Sequence, residues 1–153
     1  MNAPIFRDRS EAGQALAAPL MRYLGEPSLV LGLPRGGVPV AYEVAQALHA
    51  PLDVFSVRKL GIPGYEEAAL GAIASGGIIT LDEELMRTIG ISAETVARIR
   101  RNEEAELVRR EHLYRGDKPP PAMKGRTVIV IDDGLATGAS MSVAVTAIRQ
   151  YQP

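Results

Sequence analysis

The sequence predicts an α/β fold, a parallel twisted sheet flanked by helices, and three observations carry that expectation. Two short apolar runs, 28–33 and 127–131, are each followed by a glycine-containing loop and then by a segment with helical apolar spacing. The strand-like runs are separated by helix-like stretches, which is the pattern of parallel strands joined by crossovers. The chain has 153 residues, a length at which one core suffices, and 46% of them are apolar.

Ser10 and Glu11 open an amphipathic stretch through Leu16, Leu20 and Leu24, and Gly25 ends it; it reads as a helix despite Pro19. Ser28 to Leu33 has the length of a buried strand, and Gly36-Gly37 leads into a helical segment through Val40, Val44 and Leu48. Leu52 to Val57 reads as a second strand. Residues 58–67 read as a loop punctuated by Gly61, Pro63 and Gly64, with 60–67 a candidate lid. Ser75-Gly76-Gly77 separates the apolar runs 70–74 and 78–81 and suggests a hairpin. Asp82 can cap a short helix ending at Gly90, and Ser92 a long, charged helix reaching about Tyr114. Pro119-Pro120-Pro121 enforces an extended connector. Thr127 to Ile131 is a β-branched strand, and a last helix runs from about Gly138 to Tyr151.

Composition narrows the function. With 17 basic and 18 acidic residues the net charge is −1, so no broad basic footprint for nucleic acid exists and an anionic ligand must be held locally. The absence of cysteine excludes disulfides and thiolate chemistry. No apolar run approaches the roughly 18 residues of a membrane span, and residues 1–9 carry neither a secretory nor a transit pattern. The cytoplasm is the expected compartment. His49 and His112 have no partner at metal-ligand or triad spacing and read as surface residues. The charged helix, with Arg100, Arg101, Arg109 and Arg110 interleaved among glutamates, reads as a solvated, salt-bridged face.

The segment that carries chemistry is Val128-Ile-Val-Ile-Asp-Asp-Gly-Leu-Ala-Thr-Gly-Ala-Ser140. An apolar strand delivers Asp132 and Asp133 to its carboxyl end, and a loop of mostly small residues turns into a helix. Gly134, Leu135, Ala136, Thr137, Gly138, Ala139 and Ser140 can aim successive backbone N–H groups at one phosphate, with the Thr137 and Ser140 hydroxyls adding donors. The two acids would repel that phosphate, so their partners are hydroxyl groups a few ångströms further on, or a divalent cation; a sugar phosphate meets both needs. A bare Asp-Gly after a strand is usually only a turn; here the acid pair, the glycine spacing and the strand-to-helix context coincide. Neither the nucleotide P-loop pattern nor the dinucleotide Gly-x-Gly-x-x-Gly pattern is present. Upstream, Arg35 with Gly36 and Gly37 forms a second candidate anion loop. Two such loops at the carboxyl ends of parallel strands would flank one crevice.

These residues resemble the phosphoribosyl-pyrophosphate motif of type I phosphoribosyltransferases. The likeness extends to Gly32-Leu-Pro-Arg-Gly-Gly37, similar to the family's pyrophosphate loop, and to Val57-Arg-Lys-Leu-Gly61, similar to the basic segment before its catalytic loop, so that it spans about residues 30–148. The nearest group is one of bacterial predicted phosphoribosyltransferases whose acceptor is poorly defined.

The resemblance implies one domain over 1–153, with a core of about 28–58 and 125–153 and a hairpin and helical hood over about 59–118. It implies transfer of a phosphoribosyl group from 5-phosphoribosyl 1-pyrophosphate to a small nitrogenous acceptor, with Mg²⁺, and a homodimer. The roles it implies are Lys59, Arg35 and Asp133 in catalysis; Arg35, Gly36, Gly37, Arg58 and Lys59 on pyrophosphate; residues 132–140 on ribose and its 5-phosphate; and Asp132 and Asp133 on the metal. Of the two basic residues Lys59 is the better candidate; Arg58 reads nearly as well as a solvated strand end. A non-proline cis peptide is a feature of the family's pyrophosphate loop, which makes Pro34-Arg35 or a neighbouring bond the candidate. The family's sheet continues beyond the helix that ends here near Tyr151, so the last strand or strands are expected to be missing. A regulatory module that senses phosphoribosyl pyrophosphate without turning it over is the competing function, and a vestigial site the bland one.

Overall fold

The computed structural model describes residues 5–153, the side chains of Glu66 and Glu67 excepted. Among the described residues the chain forms two three-stranded sheets, one parallel and one antiparallel, with five α-helices.

Helix α1, Arg9–Leu20, starts slightly earlier than expected because Asp8 is the cap: its carboxylate accepts the Glu11 N–H at 2.8 Å. The Ser10 hydroxyl instead donates to Glu43 on the next helix. Pro19 lies in the last turn, where the chain passes into a 3₁₀ turn, Met21–Tyr23. Strand β1, Ser28–Gly32, is buried along its whole length, and α2, Gly37–Leu48, follows it. α1 lies close against α2 because Gly13 has no side chain; a Cβ there would sit 2.7 Å from both the Val40 carbonyl oxygen and the Glu43 Cβ.

β1 is central in the parallel sheet, between β2, Leu52–Val54, and β6, Thr127–Ile131. Alternation along it separates two cores. Leu29 and Leu31 pack with Phe55, Met123, Ala144, Ala147 and Ile148, toward the last helix, α5, Ala139–Arg149. Val30 packs with Val40, Ala41, Val44 and Leu48 of α2. Among the described residues β6 pairs on one side only, and of its residues Ile131 alone is buried.

Between β2 and β6 the chain builds the hood: β3, Val57–Ile62; β4, Tyr65–Ala74; β5, Ile78–Leu81; α3, Glu83–Ile89; and α4, Ala93–Arg115. Here the structure corrects two expectations. The single strand 52–57 is broken at Phe55-Ser56, where the chain leaves one sheet for the other. The loop and candidate lid of 58–67 is instead a two-stranded antiparallel ribbon with its turn at Pro63-Gly64. The glycines that suggested a loop have specific places: Gly61 sits at a shift in the β3–β4 register, and Gly64 has φ +82° in the turn. The hairpin across Ser75-Gly76-Gly77 forms as expected, as do the caps of Asp82 on α3 and Ser92 on α4.

Leu60, Leu70, Ile73, Val96 and Leu107 form the hood's own core. The outer face of α4 is solvated, with Glu106 paired to Arg109 and Arg110. Polar links tie hood to core, two of them through long side chains. The Arg115 Nε lies 2.8 Å from the Asp53 carboxylate on β2, off the hydrogen-bond direction, and the Tyr151 hydroxyl donates to the Ser75 carbonyl at 3.1 Å. No helix among the described residues is long and apolar enough to cross a membrane.

Candidate functional site

Two loops meet at the carboxyl ends of the paired strands β1 and β6. The first runs from Leu33 to Gly36 and contains a cis peptide between Pro34 and Arg35. The Gly37 N–H closes it by donating to the Leu33 carbonyl at 3.0 Å, and the Leu33 N–H donates to the Ile131 carbonyl at 2.8 Å, tying the loop to the end of β6. The second runs from Asp132 to Gly138, which takes φ +76° as the residue before α5.

The glycines of the first loop bring the two together. A Cβ on Gly36 would collide with the Asp133 Oδ2, and one on Gly37 would fall 2.6 Å from the Ile131 carbonyl oxygen and 2.9 Å from the Asp132 Cα. Contacts below 3.0 Å essentially never occur for a real Cβ; at Gly37 the obstructing atoms are backbone, so glycine is required there, whereas at Gly36 the obstruction is a side chain that would have to move.

The two acids are held differently. The Oδ1 of Asp132 accepts the N–H of Asp133 at 2.8 Å. Partial burial, with the neighbouring carboxylate, pushes the Asp132 carboxyl above its ordinary pKa. Asp133 is gripped by Arg9 from the first turn of α1: Nε and Nη2 donate to its Oδ2 at 3.1 and 2.7 Å. That guanidinium holds the Asp133 carboxyl below its ordinary pKa. Sequence reading did not single out Arg9, which lies 124 positions from its partner. Its one local sign was a cation in the first turn of a helix, where the dipole prefers an anion.

In the second loop the backbone donors are available. The N–H groups of Gly134, Leu135, Ala136, Thr137 and Gly138 meet no acceptor among the described residues, whereas the Ala139 N–H is taken by the Thr137 hydroxyl at 3.3 Å. From Gly134 to Met141 this loop lines a cavity of about 310 Å³ together with Asp132 and Lys59.

Lys59 reaches the cavity from the hood. Successive residues of a strand point to opposite faces, so on β3 Lys59 turns toward the loop and Arg58 toward α4, where it pairs with Glu103. The structure thus brings Lys59, Asp132 and the run 134–140 to one cavity, sets Asp133 against Gly36 at its rim, and holds Arg58 elsewhere. Arg35 is exposed at the mouth of the first loop, and its side chain has no partner among the described residues. His49 and His112 are exposed, as the sequence implied.

A larger cavity, about 650 Å³, lies in the hood between the β3–β4 turn, α3 and α4, and no phosphate-loop residue is among its described lining. The polar donors converge at the smaller cavity, which is therefore the candidate site. No group of three or more His, Cys, Asp or Glu side chains that could hold a metal occurs among the described residues.

Comparison with known proteins identifies a family for the chain. A family model described as the phosphoribosyl transferase domain matches residues 9–153. A protein found in two strains of Mycobacterium tuberculosis, provisionally named a phosphoribosyl transferase, is 42% identical over 147 residues, covering 96% of this chain and 33% of its own length. The chain thus spans about a third of those curated relatives. Among solved structures, TT1426 of Thermus thermophilus is similar with a TM-score of 0.80 and 44% identity, over 97% of this chain and 70% of that one. A purine phosphoribosyltransferase of Pyrococcus horikoshii shares the fold, with a TM-score of 0.51 at 19% identity, over 94% of this chain and 64% of that one.

Proposed function

The chain belongs to the phosphoribosyl transferase domain family, and from that premise we propose that it binds 5-phosphoribosyl 1-pyrophosphate with Mg²⁺ and transfers the phosphoribosyl group to a small nitrogenous acceptor. The observation that carries this reading is the row of unpaired amides from Gly134 to Gly138 at the start of α5, with Asp132 at the same cavity. Such a row suits a dianionic phosphate, and a carboxylate a few ångströms away suits the hydroxyls of the attached sugar.

In the reaction, a bond forms from the acceptor nitrogen to the anomeric carbon while the bond from that carbon to the pyrophosphate oxygen breaks. The electron pair leaves with pyrophosphate, and the acceptor nitrogen gives up its proton to water. The loop amides and the Thr137 and Ser140 hydroxyls fix the 5-phosphate. Asp132 and Asp133 orient the ribose hydroxyls, and their negative charge favours the cationic sugar ring of the transition state. Arg35, the amides of Gly36 and Gly37, and Lys59 meet the charge that grows on the departing pyrophosphate. Arg58, committed to Glu103, has no part in this proposal.

The donor set fits a magnesium ion that arrives with its substrate, since Mg²⁺ is commonly bound by one or two carboxylates, water and substrate phosphates rather than by a protein cage. Asp132 and Asp133 would be its protein side, and the ion would neutralise charge on the pyrophosphate. The domain division proposed is the expected one, a core of about 28–58 and 125–153 beneath a hood of about 59–118. The homodimer and the cytoplasmic setting rest on the family resemblance and the composition alone.

Calorimetric titration with phosphoribosyl pyrophosphate, with and without Mg²⁺, followed by pyrophosphate release against a panel of purine, pyrimidine and other nitrogen bases, tests the proposal. Mg²⁺-dependent binding and base-dependent release are expected. Tight binding with no release from any base would point to a sensor, and no binding at all to a vestigial site.

A further inference from the structure

We infer that Arg9 is a positioning residue for the transfer reaction, acting through Asp133; the inference rests on the function proposed above. Neither stability nor helix chemistry accounts for the Arg9–Asp133 pair. The Arg9 side chain is 58% exposed and that of Asp133 35%, and ion pairs so open to solvent contribute little to folding. Arg9 also stands in the first turn of α1, where the helix dipole disfavours a cation.

What the pair does is geometric. It joins three segments that sequence leaves far apart: the start of α1, the first anion loop through Gly36, and the second through Asp133. Both Arg9 donors converge on Oδ2, the carboxylate oxygen nearest Gly36. Oδ1 has no hydrogen-bond partner among the described residues. Arg9 therefore fixes the carboxylate's orientation and leaves one oxygen as the acceptor for a ribose hydroxyl. It also offsets one of two adjacent negative charges that would otherwise repel each other.

The test compares wild type, Arg9→Ala, Arg9→Lys, Asp133→Asn and the Arg9→Ala/Asp133→Asn double variant by calorimetric titration with Mg²⁺. The probes are phosphoribosyl pyrophosphate, ribose 5-phosphate and inorganic pyrophosphate, and thermal melting follows the fold. Arg9→Ala is expected to weaken both sugar phosphates about tenfold or more, the scale of a lost charged hydrogen bond. It should leave inorganic pyrophosphate within about twofold and melting nearly unchanged. Arg9→Lys should recover much of the loss, and the double variant should be no worse than Asp133→Asn, the non-additivity of two groups acting as one.

Unchanged sugar-phosphate binding in Arg9→Ala overturns the inference while leaving the proposed function standing. So does weaker inorganic pyrophosphate binding, or losses that add in the double variant, because Arg9 would then be touching ligand itself. A lowered melting point with equal loss of all three ligands overturns it in favour of a structural role. Failure of the wild-type chain to bind any of the three overturns both this inference and the reading beneath it.

Discussion

Replacing Gly37 by alanine is expected to abolish phosphoribosyl pyrophosphate binding and to cost about 2–3 kcal/mol of stability, the scale of overpacking a tight interior. The added methyl would lie 2.6 Å from the Ile131 carbonyl oxygen and 2.9 Å from the Asp132 Cα. Both are backbone atoms and cannot rotate aside. The Ile131 carbonyl already accepts the Leu33 N–H, so relief requires the ends of β1 and β6 to separate. That separation moves the first loop and both acids together.

Gly36→Ala provides the contrast. The three atoms nearest its methyl all belong to the Asp133 carboxylate, and that side chain is partly exposed and can swing away. Stability should fall by less than about 1 kcal/mol, as for a substitution the surroundings can accommodate, while ribose binding suffers through loss of the Arg9–Asp133 arrangement. Urea unfolding and calorimetry on both variants check the pair. A Gly37→Ala chain with wild-type stability and affinity would show that the two loops do not meet as described.

Lys59→Ala should lower base-dependent pyrophosphate release about 10²–10³-fold, the cost of removing one well-placed donor to charge that develops in a transition state. Lys59 is exposed and has no side-chain partner among the described residues, so its loss leaves no orphaned group, and the fold should survive. It lines the phosphate-loop cavity from β3 while belonging to the hood, so its effect reports whether the hood takes part in the chemistry. Arg58→Ala, one position away on the opposite face, is expected to act through the loss of its Glu103 pair on α4, on stability more than on turnover. Equal losses of turnover in the two variants would contradict the alternation that separates them. Initial rates of pyrophosphate release, with far-ultraviolet circular dichroism as the folding control, make the comparison.

Much of the frame was legible because it is written locally. Asp82, Gly90 and Ser92 mark helix ends by chemistry that needs only near neighbours, and the structure uses all three as caps. The two strand-loop-helix units were legible because apolar runs, glycines and helical spacing follow one another without interruption, and both loops do end parallel strands.

The break at Phe55-Ser56 was not legible. Residues 52–57 read as one strand, and the decision to part there is tertiary. The Phe55 N–H still bonds the Gly32 carbonyl of the parallel sheet, while the Ser56 N–H is taken by the Ser75 hydroxyl of the hood. Gly61, Pro63 and Gly64 signal irregular backbone, and only the pairing with β4 turns that irregularity into a shifted register and a tight turn. Once the strand exists, alternation separates Lys59 from Arg58 and supplies the physical reason, absent from the loop reading, for preferring Lys59. Arg9 was out of reach because its meaning depends on Asp133, to which only the packing of α1 brings it.

The amide resonances of residues 134–141, followed by ¹H–¹⁵N spectra during titration with ribose 5-phosphate and Mg²⁺, address the phosphate cradle most directly. Hydrogen bonds from the unpaired amides of Gly134 to Gly138 to a phosphate should move those resonances downfield by more than any others, in proportion to occupancy. Saturable binding with those resonances unmoved, and the largest changes elsewhere, would place the phosphate outside this loop and contradict the account.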